Sequence, residues 1–183
     1  MDVVRNIGLE SGAVRIDGSI DLMLDEKDFN PFAKKVYRHY GIDYPKFYKM
    51  SPLSKLGFLA SELLLKGVDI SGTDPDKVSI IVANSSSSLQ TDRIYQETID
   101  SKPSPAIFVY TLPNIMIGEI CIRNGFKGEG IFFIQERFDK GFIFDYAEIH
   151  LRSSPAGLSL VGWVDMDMEG GYLADLYLLK RKQ

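Results

Sequence analysis

The stretch from Ser51 to Ala83 restricts the possible folds of this chain more than any other segment. Ser51-Pro52 is a helix start, with a capping hydroxyl followed by proline at the first helical position. Leu53, Leu56, Leu59, Ala60, Leu63 and Leu64 then recur at intervals of three and four residues up to Gly67. Such a helix must be buried. After the turn chemistry of Asp74-Pro75-Asp76, the run Val78-Ser79-Ile80-Ile81-Val82-Ala83 is too apolar for a strand with one wet face and predicts one covered on both sides. A buried helix beside a doubly covered strand is the signature of stacked layers.

The rest of the chain extends that pattern. Helices are predicted over Thr91 to Ile99, Pro113 to Asn124 and Asp139 to Leu151. Strands are predicted over Ile131 to Gln135, Gly157 to Val164 and Gly171 to Leu179. The Pro113 to Asn124 helix is apolar almost all round and stops at Asn124-Gly125, which predicts a central position. Residues 1–45 read as an irregular segment with a short hairpin about Ser11-Gly12 and a helix starting near Pro31, ahead of a second unit over 46–183. The expected architecture is an α/β layered domain of about five mostly parallel strands, with an antiparallel edge, covered by helices.

Composition narrows the function classes. A chain of 183 residues, 45% hydrophobic, is long enough for a sizeable core without disulfides or a structural metal. Its net charge of -4, with no long basic run, argues against nucleic acid or an anionic membrane as the main partner. The single cysteine, Cys121, excludes an internal disulfide, and with two histidines the supply of metal ligands is poor, so no metal or cofactor is expected. The N-terminal sequence lacks a basic region followed by an apolar stretch, and no window is apolar enough for a spanning helix; the expectation is a cytoplasmic protein.

Few residues offer chemistry. Ser85-Ser86-Ser87-Ser88 follows the Val78 to Ala83 strand at its carboxyl end, where α/β ligand sites lie, and is a candidate ligand loop or nucleophile. A nucleophilic serine needs a base within reach, and the sequence places no histidine tellingly, so strand-to-helix turn chemistry is the preferred account of the serines. The glycines of Gly125 to Gly130 end a helix and lead into a strand, the wrong polarity for a phosphate loop. Asp165, Asp167 and Glu169 alternate as in a weak cation site, but Gly170-Gly171 favours a hairpin tip. Cys121 reads as a small hydrophobe, His39 as a surface residue and His150 as a helix-end cation.

The order of the segments carries a resemblance. Ser51 to Leu63, the Val78 to Ala83 strand with its Asn84-Ser85-Ser86 exit, and the series Pro105-x-x-Phe108, Thr111 to Asn114 and Gly125-x-x-Gly128 resemble the N-terminal half of a β-ketoacyl-ACP synthase over approximately Lys46 to Leu179. The resemblance implies one half of the two-lobed thiolase-like fold. It also implies that a nucleophilic cysteine should start a buried helix just after the strand Gly130 to Ile134. No cysteine stands there; Glu136 or Arg137 takes the place, and Cys121 belongs to the preceding helix.

The resemblance therefore implies a protein without catalytic residues of its own. It would assist fatty acid or polyketide-type synthesis through a condensing enzyme, an acyl carrier protein or an acyl chain. It further implies a homodimer or heterodimer, formed through the Ile131 to Ile134 strand or the Pro113 to Asn124 helix, with Ile131, Phe133, Thr111 and Asn114 as candidate interface residues. The alternative is an acyl-transferring or thioester-hydrolysing enzyme that uses the Ser85 to Ser88 loop or a site completed by another chain.

Overall fold

The computed structural model describes residues 1–153 and 157–181. Two hairpins open the chain. Strands β1 (Asp2–Glu10) and β2 (Ala13–Ile16) are joined by Ser11 and Gly12, both at positive φ, and β3 (Ser19–Met23) follows. Paired left-handed residues give a two-residue turn whose twist matches the strands it joins. Gly12 is doubly constrained, because a Cβ there would also run into the carbonyl oxygens of Leu24 and Glu26. Helix α1 (Phe29–His39) comes next and takes Pro31 into its first turn, where a missing N–H costs nothing.

A 3-10 helix, Pro45–Lys49, leads to α2 (Pro52–Leu65). The predicted cap is present: Ser51 Oγ accepts a hydrogen bond from the Ser54 amide at 3.3 Å. Then come β4 (Val78–Asn84), α3 (Leu89–Ile99), α4 (Pro105–Val109), α5 (Ile115–Asn124), β5 (Gly130–Ile134), α6 (Lys140–Ser153), β6 (Leu158–Met166) and β7 (Tyr172–Lys180).

The seven strands of the described residues form one sheet in the order β3-β2-β1-β7-β6-β4-β5. The expectation of about five mostly parallel strands is corrected on both counts. Only β4–β5 and β4–β6 pair in parallel, and the other neighbours are antiparallel. Connection length is the reason: tight turns join β1 to β2 and β6 to β7 and force antiparallel pairing, whereas helical crossovers separate β4, β5 and β6. The extra strands come from the N-terminal 45 residues. There β1 pairs with β7 from Asp2↔Lys180 to Glu10↔Leu173, so Ile7 and Leu9 enter the main core.

Two apolar layers result. On one face, α1, α2 and α5 cover Ile7, Leu9, Val14, Ile80, Val82, Leu176 and Leu178; on the other, α6 lays Ile143, Ala147 and Leu151 over Ile81, Ala83, Val161 and Trp163. Every residue of β4 is buried, as its unbroken apolar run requires. The hydroxyls of Ser79 and Ser159, 2.6 Å apart on neighbouring strands, satisfy each other. Helix α5 is one-sided instead of central: Met116, Ile117, Glu119 and Ile120 are buried, while Ile122 is 66% exposed. Its stop is as predicted, with Gly125 left-handed at φ 72°.

Candidate functional site

The carboxyl ends of the parallel strands β4 and β5 lie side by side. Asn84 is opposite Ile134, and the Gln135 amide donates to the Asn84 carbonyl at 2.9 Å. The Ser85–Ser88 loop leaving β4 and the Glu136–Arg137 bend leaving β5 therefore stand next to each other. In open α/β sheets this is where ligands bind.

The serine loop is occupied by the chain's own anion. Asp165, near the end of β6, accepts from Ser85 Oγ at 2.5 Å and from the Ser86 amide at 3.2 Å, with a longer 3.4 Å contact from the Ser85 amide. Asn84 closes the turn by accepting from the Ser87 amide at 2.9 Å and donating to the Ser87 carbonyl, which holds Ser87 at φ 51°. Ser88 Oγ donates to the Thr111 carbonyl at 2.5 Å and lies 3.0 Å from Asp92. The donors that would hold a ligand anion thus hold Asp165. Among the described residues, neither the ring of His39 nor that of His150 hydrogen-bonds to any of the four serines; Ser85 Oγ bonds to Asp165 and, at 3.4 Å, to Ser86 Oγ.

Glu136 and Arg137 are exposed in the bend before α6. The start of α6 is also filled from within, since Asp139 Oδ1 accepts from the Phe142 amide at 3.0 Å. A carboxylate at that position uses the positive end of the helix that a thiolate or oxyanion would need. Cys121 is half-buried on α5, and burial pushes its thiol pKa up, the opposite of an activated nucleophile.

The interface candidates separate. Phe133 packs under α6 against Phe142 and Tyr146, and Ile131, two residues back, shares that face of the sheet. Thr111 is half-buried and donates its own hydroxyl to the Phe108 carbonyl at 2.7 Å, whereas Asn114 is exposed ahead of α5. What β5 offers outward is its backbone, because among the described residues it is an edge strand with one neighbour. The other sequence motifs are structural. Gly128 lies so close to the carbonyls of Asp76 and Val78 that no Cβ fits, and Asp167 Oδ1 accepts from the amides of Glu169 and Gly171 to close the β6–β7 hairpin tip. His150 Nδ1 is 3.2 Å from Glu129 Oε2.

One polar cluster escaped the sequence reading. Glu119, only 5% exposed on α5, lies 2.8 Å from Lys46 Nζ and accepts from Tyr110 Oη at 2.9 Å. Burial first, and then the Glu119 carboxylate, drive the Tyr110 pKa far above its ordinary value. Beside it, a cavity of about 190 Å³ separates α3 and α4 from the start of α2, with Met50, Ile94, Ile107 and Tyr110 in its wall. A glutamate within an otherwise apolar helix was the one available signal. Its partners arrive from positions 46 and 110, which no local pattern links to it.

The fold is shared with solved structures. A ketosynthase (ApeO) in complex with its chain length factor (ApeC) from Xenorhabdus doucetiae matches with a TM-score of 0.64 and 12% identity, over 99% of this chain and 79% of that one. This is the thiolase-like fold of the ketosynthases. The ishigamide ketosynthase/chain length factor matches at a TM-score of 0.66 and 15% identity, over 98% of this chain and 61% of its own. The type II PKS acyl-carrier protein and ketosynthase complex AntDE:AntF, bound to the hexaketide, gives 0.64 and 15%, over 98% and 62%. The chain thus spans about three fifths of the length of two of these solved structures. No family model matches the sequence, and no curated protein is significantly similar to it. Among the described residues, no helix is long and apolar enough to cross a membrane.

Proposed function

We propose that this chain is a non-catalytic partner in a ketosynthase-type assembly, assisting fatty acid-like or polyketide-like chain synthesis by binding a condensing enzyme, an acyl carrier protein or an acyl chain. One observation carries the reading: in a ketosynthase-like fold, the elbow between β5 and α6 bears exposed Glu136 and Arg137, with Asp139 capping the helix where a thiolate would have to be stabilised. Fold without nucleophile fits an accessory role.

The contact is through β5. Its sequence, Gly130-Ile131-Phe132-Phe133-Ile134, has no charge or proline to discourage pairing, and among the described residues no strand lies beside its outer backbone groups. Addition of a partner strand there would extend the sheet across a twofold or pseudo-twofold axis. Co-purification with the condensing enzymes and acyl carrier proteins of the same genome tests the reading. Capture of a condensing enzyme by the native chain, with loss of capture by Ile134→Lys, is the expected result. Retention of none of these proteins removes it.

A catalytic role for the serine loop has one favourable observation, the 2.5 Å Ser85–Asp165 hydrogen bond. If Ser85 were a nucleophile, incubation with acyl-CoA would leave an acyl adduct visible by intact-mass spectrometry. The accessory reading requires unmodified protein and unchanged thioester.

A further inference from the structure

The basic residues of this acidic protein are concentrated. Positions 34 to 55 carry Lys34, Lys35, Arg38, Lys46, Lys49 and Lys55 against a single acid, Asp43, in a chain of net charge -4. Two of these cations are neutralised, Lys35 by Glu26 and Lys46 by Glu119. Lys34 on α1 and Lys55 on α2 have no acidic partner among the described residues. They line the same concavity, about 460 Å³ in volume, together with Asn30, Ala33, Phe47 and Tyr48.

Two ammonium groups sharing a recess is an unfavourable arrangement without an anion. Lys55 is half-buried, with its Nζ 6.0 Å from the centre of the Phe47 ring. Burial, and after it the charge of Lys34, lower its pKa from the ordinary lysine value. Phe47 is fully buried and Tyr48 is 47% exposed, so the recess has a fixed aromatic floor and an accessible aromatic edge. Asn30, exposed on α1, adds an amide donor.

We propose that this recess between α1 and α2 binds a phosphate monoester, its phosphate between Lys34 and Lys55 and its organic part against Tyr48. Two point-like ammonium groups match a compact dianion. A lone carboxylate is better read by the planar fork of an arginine, and none lines the recess. The volume lies in the range of small-molecule sites and exceeds what bare phosphate fills. The assignment is independent of the accessory role proposed above, since it uses a different face of the molecule, and either can fail alone.

Thermal unfolding at constant ionic strength, with inorganic phosphate and adenosine monophosphate as probes and chloride as reference, tests it. Both probes should raise Tm saturably. Lys34→Glu supplies the missing acid: it should stabilise the free protein and weaken either probe roughly tenfold or more. Lys55→Met should weaken both probes likewise, and Lys35→Ala, outside the recess, should leave both responses intact. Adenosine monophosphate should bind more tightly than inorganic phosphate, and Tyr48→Ala should abolish the difference; equal affinities in the native protein overturn the placement of the organic part against Tyr48. No rise in Tm, or an equal rise in native protein and Lys34→Glu, which is the general stabilising effect of phosphate on folded proteins, overturns the site itself.

Discussion

Helix α2 and the α3–α4 pair occupy the same chain on opposite terms. Of the fourteen residues of α2, ten are buried, and Leu56, Phe58, Leu59 and Leu64 are fully so. Of the eleven residues of α3 only Thr91 is buried, and α4 buries none. Yet the pair is not polar: Leu89, Ile94, Ile99, Phe108, Val109 and the following Leu112 are all exposed. Two helices that bury almost nothing of their own and still present apolar side chains contribute a surface, not a core. The same fold thus separates a buried core, made by α2 and the sheet, from an exposed apolar surface on α3 and α4.

The sharpest way to break this contrast is to truncate one phenylalanine on each side. Phe58→Ala should lose about 3–5 kcal/mol in denaturant unfolding, because its ring is fully enclosed between Tyr44 and Phe47. Phe108→Ala, which loses only a tilted contact with Tyr95, should stay within about 0.5 kcal/mol. Comparable losses would mean that the pair belongs to the cooperative core after all.

Tyr110 is the link between the two regions, since it follows α4 and donates to Glu119 on α5. Tyr110→Phe should cost about 1–2 kcal/mol by leaving that buried carboxylate to Lys46 alone. Its pH dependence has a definite sign. The folded pKa of Tyr110 is raised, so its contribution is complete below the unfolded pKa of about 10 and is lost as pH climbs above it. Unfolding measured at pH 9 and pH 11 should therefore show a smaller loss of stability in Tyr110→Phe than in the native protein; a residual loss is expected from Tyr40 and Tyr177, whose pKa values are also raised.

Asp165 anchors the base of α3 to β6 through the serine loop. Asp165→Ala should cost about 1 kcal/mol, given its half-exposed position, and should speed hydrogen exchange at Ser85 and Ser86 while leaving β4 protected. The smallest effect is expected at Cys121. Its raised pKa means a lower thiolate fraction than a free thiol at neutral pH, so alkylation by iodoacetamide should be slow and should accelerate as pH rises. Rapid labelling at pH 7 would place α5 among the loosely held elements.

Much of the framework was legible because its signals are local. The Ser51-Pro52 cap, the leucine spacing of α2, the unbroken apolar run of β4 and the Asn124-Gly125 stop each act within one or two helical turns, and each is found where it was expected. Short elements with weak periodicity were not legible: β3 has only five residues, and α4 is hidden in a proline-containing stretch. The direction of the sheet was misjudged because pairing depends on which strands become neighbours, and β1 finds β7 from the opposite end of the chain.

The candidate site divides in the same way. The sequence determined that serines follow a doubly covered strand, that no cysteine follows β5, and that lysines gather between positions 34 and 55. Only the tertiary structure decided what each could do. Asp165, eighty positions from Ser85, fills the serine loop, while Lys34 and Lys55 meet across one recess without an acid. Propensity and spacing act over a few residues, whereas electrostatic pairing depends on distances in space that are set by helix packing and strand order.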